Sequence, residues 1–366
     1  MRILHIEAGR HLYGGALQVL YLLTGLSSRG IQSHLVAPRK SAIAEQARGV
    51  ADKVHEIPIH GELDPLLPIR LYSILRQDRP DLVHVHSRRG VDLWGGLAAR
   101  SLGIPAVVTR RVDNPERPIL ARAKYRLYER VITISEGIRH VVLAAGVPAS
   151  KVICVRSALA GDWGGPCERK WFRDAFSIRD GELAIGTIAQ FIPRKGHHIL
   201  LKAAKRILDH FPDTVFLFLG KGPLAKEIKE TSMALGFGDR IRFLGFRNDL
   251  SRILPCLDLV VHPALMEGLG VSLIQAAACG VPIVATRVGG IPEIVRDGDN
   301  GILVPPGDSV ALEEAVIRLL EDRSARQRLG HHGRLLVEKE FGLDHMVEGN
   351  LRIYREILAT NRRKVC

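Results

Sequence analysis

The 366 residues predict an α/β chain built as two parallel-sheet domains, and three observations carry that reading. Short aliphatic runs alternate with longer stretches of helical periodicity, the pattern of parallel strands joined by crossover helices. The alternation halts once, near residues 158–180, at Gly161-Asp-Trp-Gly-Gly-Pro166, and then restarts. The length suffices for two ordinary domains with separate cores. A content of 46% hydrophobic and 25% charged residues is that of a globular protein.

In the first half, β-branched and aliphatic runs predict strands at Ile3–Ile6, His34–Ala37, Val54–Ile57, Leu82–His86, Ala106–Thr109, Val131–Ile134 and Val152–Val155. Helical spacing between them covers Ala16–Ser27, Pro68–Gln77, Leu93–Leu102 and Glu136–Ala145. After the seam, a short amphipathic helix at Glu168–Asp174 precedes a second series. It runs through strand Ile185–Ala189, helix Ile199–His210, strand Val215–Leu219, helix Leu224–Leu235 and strand Ile241–Leu244. Helix Asp249–Leu254, strand Leu259–Val261, a strand-loop-helix unit ending in strand Ile283–Thr286, and helix Val310–Leu320 follow. The last amphipathic pattern is Met346–Leu358. No sequence repeat links the halves.

The segment His262–Glu293 is the most informative. Glu267 precedes a tight Gly268-Leu269-Gly270 turn, and a helical stretch from Val271 to Cys279 follows. A helix start stripped of side chains leaves backbone N–H groups open to an anion. Glu267 stands where it can accept from hydroxyls that the anion carries, and Gln275 lies eight positions on, about two helical turns. A phosphate cradle beside two hydroxyl readers suits a nucleotide-linked sugar. Lys195, after the second series' first strand, puts an ammonium at the carboxyl end of a parallel sheet, where ligands of open α/β sheets bind. Gly14-Gly15 opens the first helix as a second backbone anion site. His84 and His86 alternate with valines and so share one face. His84, deeper in the strand, reads as core. The pair alone is poor metal-site material.

These landmarks together resemble the retaining GT-B glycosyltransferases of family 4, the group 1 type. The match rests on Glu267-x7-Gln275, the Gly14-Gly15 turn, Asp81-Leu-Val-His-Val-His86, Lys195-Gly196 and Val288-Gly-Gly-Ile-Pro-Glu293 in order along the chain. The resemblance implies two Rossmann-like domains facing across a cleft. Residues 1–160 would form the acceptor side and 161–343 the nucleotide-sugar donor domain, with a helix in 344–366 crossing back onto the first. Glu267 and Lys195 would be catalytic. Donor contacts would come from Gly14, Gly15, Gln190, Arg194, Lys195, Glu267, Gly268, Leu269, Gly270, Val271 and Gln275. The acceptor side would comprise His86, Arg88, Arg111 and Asp113. No metal or other cofactor is implied, and the nucleotide-sugar is substrate. The chain departs from the pattern at Gln190 (Arg in the family), Gln275 (Glu), Arg111 (His) and Ala264 (Ser). Losing the Arg removes a charge-assisted contact to diphosphate, whereas Gln at 275 can still hold a hydroxyl.

The net charge of +13 gathers in part between Arg88 and Arg130, where Arg and Lys outnumber acids. Nucleic acid is a poor fit, because aromatic residues are only 5% and do not interleave with the arginines. An anionic membrane surface or a phosphorylated acceptor fits better. Five cysteines without CxxC spacing predict reduced thiols in a cytosolic compartment, with Cys256 and Cys279 as packing residues. The longest charge-free stretch, Val271–Thr286, is too short to span a bilayer. The expected protein is cytoplasmic, with peripheral attachment to the inner face of the membrane, and moves a sugar to a cell-envelope saccharide or lipid-linked acceptor. Two alternatives stand beside it: a nucleotide-sugar epimerase of the same architecture, and a catalytically weakened sugar-nucleotide binder.

Overall fold

The computed structural model describes every residue except Tyr13, Glu62, Leu63, 87–89 and Cys366, and the backbone alone at 362–365. Predicted site residue Arg88 therefore lies outside the described residues. The chain forms two compact units, Met1–Ala160 with Gly342–Cys366, and Gly161–Phe341.

The first unit holds seven parallel strands: β1 (Arg2–Ile6), β2 (Gln32–Pro38), β3 (Lys53–Ile57), β4 (Leu82–Val85), β5 (Ala106–Arg110), β6 (Arg130–Thr133) and β7 (Val152–Cys154). Their order is β3-β2-β1-β4-β5-β6-β7. The chain winds outward from β1 in one direction and from β4 in the other, so the carboxyl ends of β1 and β4 flank a topological switch point. Ile3, Leu82, Val107 and Ile132 pack one sheet face against Leu22 and Leu26 and against Val347, Leu351 and Tyr354 of helix Leu343–Val365. Leu35 and Ala37 meet Val19, Leu23, Ile43 and Ala47 in a second cluster. The strands read as near-continuous apolar runs because both faces are covered.

The second unit has six parallel strands: β8 (Leu183–Ile188), β9 (Thr214–Leu219), β10 (Ile241–Gly245), β11 (Leu259–His262), β12 (Ile283–Thr286) and β13 (Gly301–Val304). The order β10-β9-β8-β11-β12-β13 places its switch point between β8 and β11. Phe216, Phe218, Val261 and Val284 pack with Leu200, Ile207, Leu312 and Val316 from covering helices.

One expectation is overturned. Cys167 and Cys256 form a disulfide across 89 positions, Cα to Cα 4.8 Å, so they are not free thiols and Cys256 is no mere packing residue. Sequence spacing misses the pair because the loop before helix Arg169–Phe176 returns to the segment before β11 only in the fold. Cys154 and Cys279 are not disulfide-bonded, and Cys279 is buried. No helix among the described residues is long and apolar enough to cross a membrane.

Candidate functional site

In the second unit, Lys195 follows β8 and Glu267 follows β11, on either side of the switch point. The structure brings them together as an ion pair. His262, the last residue of β11, places Nε2 2.9 Å from the same carboxylate, and Gly268 N–H reaches its other oxygen at 3.1 Å. Burial alone would raise the Glu267 carboxyl. The His262 hydrogen bond and the Lys195 charge outweigh it and hold the carboxyl far below the usual range. Burial keeps His262 neutral. Its Nε2 then carries the proton that Glu267 accepts. The result is a fixed anion, an acceptor for hydroxyls and not a proton donor.

Backbone close approach fixes this geometry. Gly196 has φ +69°, and a Cβ there would stand 1.9 Å from the Pro263 carbonyl oxygen. Gly289 has φ +52°, and its Cβ would meet the Glu267 carbonyl oxygen at 1.8 Å. Leu265 N–H donates to the Arg194 carbonyl at 2.8 Å, and Gly290 N–H to the Glu267 carbonyl at 3.2 Å. The three loops after β8, β11 and β12 thus lock to one another. Gly270, with φ +95°, starts helix Val271–Ala278 without a side-chain cap, leaving first-turn N–H groups without intrahelical acceptors. Gly268, Leu269 and Gly270 are buried, while Val271 and Gln275 are half-buried on that helix. Gln190 is exposed just past β8, and Arg194 is half-buried.

Sequence reasoning passed over two neighbours. His262 closes β11 and opens the most informative segment, yet the sequence assigns it no role. His197 is buried, stacks on Phe191 with ring centroids 4.4 Å apart, and has neither ring nitrogen bonded among the described residues. Burial, then the nearby His262 and Lys195, pushes its pKa down to about 4. The signal for both was proximity in sequence to Lys195 and Glu267.

In the first unit, Gly14 and Gly15 open helix Gly14–Ser27, and a Cβ on Gly15 would lie 3.4 Å from Arg111 Cδ. Arg111 Nη2 lies 3.5 Å from His86 Nδ1, and His86 Nε2 lies 2.9 Å from His5 Nδ1. An arginine can only donate, so protons run in one direction, from Arg111 to His86 to His5. His84 is buried as expected and is held by Tyr354 and by Thr109 at 2.6 Å. Burial is the main cause that lowers His5 to about 3 and His84 and His86 well below the ordinary histidine range. Burial likewise pulls Arg111 down to about 10, against the field of Glu7. Glu7, buried after β1, is a further group that sequence reading missed. Asp113 is buried as well. Among the described residues, two clusters each bring three potential metal-ligating atoms within 4.8 Å of one another: His5, His84 and His86, and His34, His55 and Asp78. In the first, the His84 and His86 nitrogens are engaged by protein partners as described.

Residues 13–157 match the family described as Glycosyltransferase Family 4, and residues 168–336 match Glycosyl transferases group 1. The chain belongs to this glycosyltransferase family. Over 356 residues it is 25% identical to the lipopolysaccharide core biosynthesis glycosyltransferase LpsE of Rhizobium meliloti, covering 96% of this chain and 98% of that one. It is 30% identical over 187 residues to N-acetyl-alpha-D-glucosaminyl L-malate synthase of Bacillus anthracis, about half of each chain (51% and 49%). Among solved structures, Anabaena Alr3699/HepE in complex with UDP and glucose superposes with a TM-score of 0.86 at 19% identity, covering 97% of this glycosyltransferase and 100% of that chain. The fold is GT-B, as the sequence resemblance implied.

Proposed function

We propose that this glycosyltransferase moves a hexosyl group from a nucleotide-sugar, with retention of configuration, to a saccharide or lipid-linked acceptor of the cell envelope. The observation that carries the reading is the Lys195–Glu267 pair at the switch point of the second sheet. Lys195 supplies positive charge for the diphosphate that departs, where charge develops as the glycosidic bond breaks. Glu267, kept ionised, accepts hydrogen bonds from the donor sugar. First-turn N–H groups of helix Val271–Ala278 meet phosphate oxygens. In the step itself the anomeric carbon–phosphate oxygen bond breaks. The acceptor oxygen bonds to that carbon from the same face, and the leaving phosphate takes its proton. No protein nucleophile is required. The UDP and glucose of the Anabaena structure and the lipopolysaccharide role of the Rhizobium relative support the donor and acceptor classes.

The acceptor is brought by peripheral attachment to an anionic membrane, at the cytoplasmic face. Helix Leu67–Asp78 packs on Val91–Ser101, which packs on Pro118–Tyr125. These helices and the residue before them leave Leu66, Ile69, Leu93, Leu97, Ile119 and Leu120 exposed, Ile119 to 81%. Arg100, Arg117, Arg122 and Arg126 are exposed on or beside the same helices. Apolar side chains among cations suit a leaflet of anionic lipid. The cluster is smaller than the sequence suggested, because Lys124 is tied to Asp92 and Glu116, and Arg110 is buried against Glu116.

Incubation with a panel of nucleotide-sugars and lipid-linked saccharides tests the proposal. Transfer predicts free nucleoside diphosphate only when acceptor is present, with an α-linked product from an α-donor. Isomerised donor would establish the epimerase, and binding without turnover the weakened binder.

A further inference from the structure

The second unit carries a cavity of about 410 Å³ at the amino ends of β8 and β11. Lys195 and Glu267 follow the carboxyl ends of the same two strands, so the cavity lies at the opposite edge of the sheet. Leu183 and Ala184 of β8, Asp258 before β11, helix Arg169–Phe176 and the start of helix Arg323–Glu340 enclose it.

Five arginines line it: Arg169, Arg173, Arg179, Arg323 and Arg326. Two of these are neutralised locally. Arg179 pairs with Glu182 at 2.6 Å, and Arg173 pairs with Asp180. The other three are not. Among the described residues, neither Arg169 nor Arg323 makes a side-chain hydrogen bond or ion pair. Arg326 is buried, and its Nη1 is anchored on the Leu319 and Leu320 carbonyls at 2.6 and 2.7 Å. Its Nε and Nη2 have no acceptor among the described residues. Two carboxylates line the cavity among the described residues: Glu182 is taken by Arg179, and Asp258, which faces these three arginines, has its Oδ2 already engaged by Ala184 N–H at 2.8 Å. Burial raises that carboxyl above its ordinary value in spite of the three arginines.

The cavity is also held open in a fixed shape. The Cys167–Cys256 disulfide forms part of its wall and anchors the start of helix Arg169–Phe176. Glu168 takes both nitrogens of Arg252 at 2.6 and 2.5 Å, and Arg252 stacks over Trp171 at 3.8 Å. A preorganised site does not spend binding energy on ordering itself. Three guanidinium groups against one engaged carboxylate call for a multiply charged oxyanion, the ligand that arginine forks match best. The volume exceeds that of a bare phosphate and falls in the small-molecule range. Phe172, Ile178 and Leu183 add an apolar wall for the remainder of the ligand.

We propose that this arginine-lined cavity binds a phosphorylated small molecule, as a second anion site of the donor unit separate from the transfer site.

Inorganic pyrophosphate is the probe, titrated calorimetrically into the full chain carrying Lys195→Ala, which weakens anion binding at the transfer site. Saturable binding is expected in this background. Adding Arg169→Gln and Arg323→Gln should weaken it at least ~10-fold, because each removes a charge-assisted contact. Both side chains are exposed, and an unchanged melting curve verifies folding. The Arg169→Gln/Arg323→Gln chain without the Lys195 change should keep its basal transfer rate, so failure here is distinct from failure of the transfer reading. Absence of pyrophosphate binding in the Lys195→Ala background, or binding indifferent to the two arginines, overturns the proposal. Loss of binding to phosphatidylglycerol vesicles in the arginine variant, with no pyrophosphate binding by the parent, overturns it in favour of a membrane contact.

Discussion

Replacing Glu267 by Ala separates the two roles the carboxylate plays. The side chain engages Lys195, His262 and the Gly268 N–H. Lys195 is only 8% exposed, so deletion strands a buried ammonium whose only ion-pair partner among the described residues is Glu267. Removing one member of such a pair costs roughly 3–5 kcal/mol. For a unit of this size each kcal/mol moves the melting temperature by about 2–4 °C, so a fall of roughly 6–20 °C is expected. Pyrophosphate should restore part of this, since an anion can take the empty place beside Lys195. The kinetic effect is separate. One positioned electrostatic group is worth about 100-fold or more in turnover, close to 2.7 kcal/mol of transition-state stabilisation. Glu267→Gln keeps the shape and an acceptor for His262 but loses the charge, and its turnover should fall between wild type and Ala. Melting curves with and without pyrophosphate, and steady-state release of nucleoside diphosphate with a competent donor and acceptor, measure both. A folded Glu267→Ala protein that transfers at near wild-type rate would refute the assignment of Glu267.

Gly289→Ala puts a methyl where the Glu267 carbonyl stands, and should lower transfer at least ~100-fold, the effect of shifting a reacting group by about 1 Å; unchanged kinetics would mean that the loops after β11 and β12 move freely. Stability should fall as pH drops from 7 to 5. His5, His84 and His86 are held neutral by burial, so the unfolded chain binds protons first, at on the order of 1.4 kcal/mol per pH unit for each histidine below about pH 6.5. Below about pH 4 a second loss begins. Asp78 would be raised by burial, but Lys53, His55 and His34 hold it well below its ordinary value, so its stabilising contribution disappears on protonation. Pulsed chemical denaturation across this range checks both, and a flat profile from pH 7 to 5 contradicts the neutral cluster. Cys167→Ser should cost roughly 2–4 kcal/mol, and reductant should reproduce the loss in wild type without affecting the variant. Vesicle sedimentation should show binding to anionic lipid that weakens with salt and is lost when Arg117, Arg122 and Arg126 are replaced by Ser together with Ile119 and Leu120. Equal binding to neutral vesicles would remove the charge from that account.

Much of the sheet architecture was legible because buried parallel strands are aliphatic runs that polar neighbours delimit. β13 escaped, since Gly301-Ile-Leu-Val304 is four residues long and follows an Asp-Gly-Asp-Asn turn. Helix Arg323–Glu340 escaped for the opposite reason. Its charge is so dense that the buried stripe of Ala325, Leu329, Leu336 and Val337 hardly shows in a window average. In the site, Glu267 and Lys195 could be read because glycines punctuate their loops. That the two side chains touch could not, because the contact spans 72 positions and depends on strand order. His5 and Glu7 were invisible as partners for a similar reason. Only the pairing of β1 with β4 sets His5 opposite His84.

Helix Leu343–Val365 lends Val347, Leu351, Tyr354 and Ile357 to a core whose other members include Ile3, Leu22 and Leu82. Val347 rests where Gly25 has no side chain, and Tyr354 bonds His84. The intervening unit is one uninterrupted segment, so during translation it has every residue it needs while its neighbour does not. The strands of the first unit emerge early and wait, with one face only partly covered by Leu22 and Leu26, until residues 347–357 have left the ribosome. Nascent chains stalled between residues 160 and 340 should therefore be the chaperone-dependent ones, although they contain all seven strands of the first sheet.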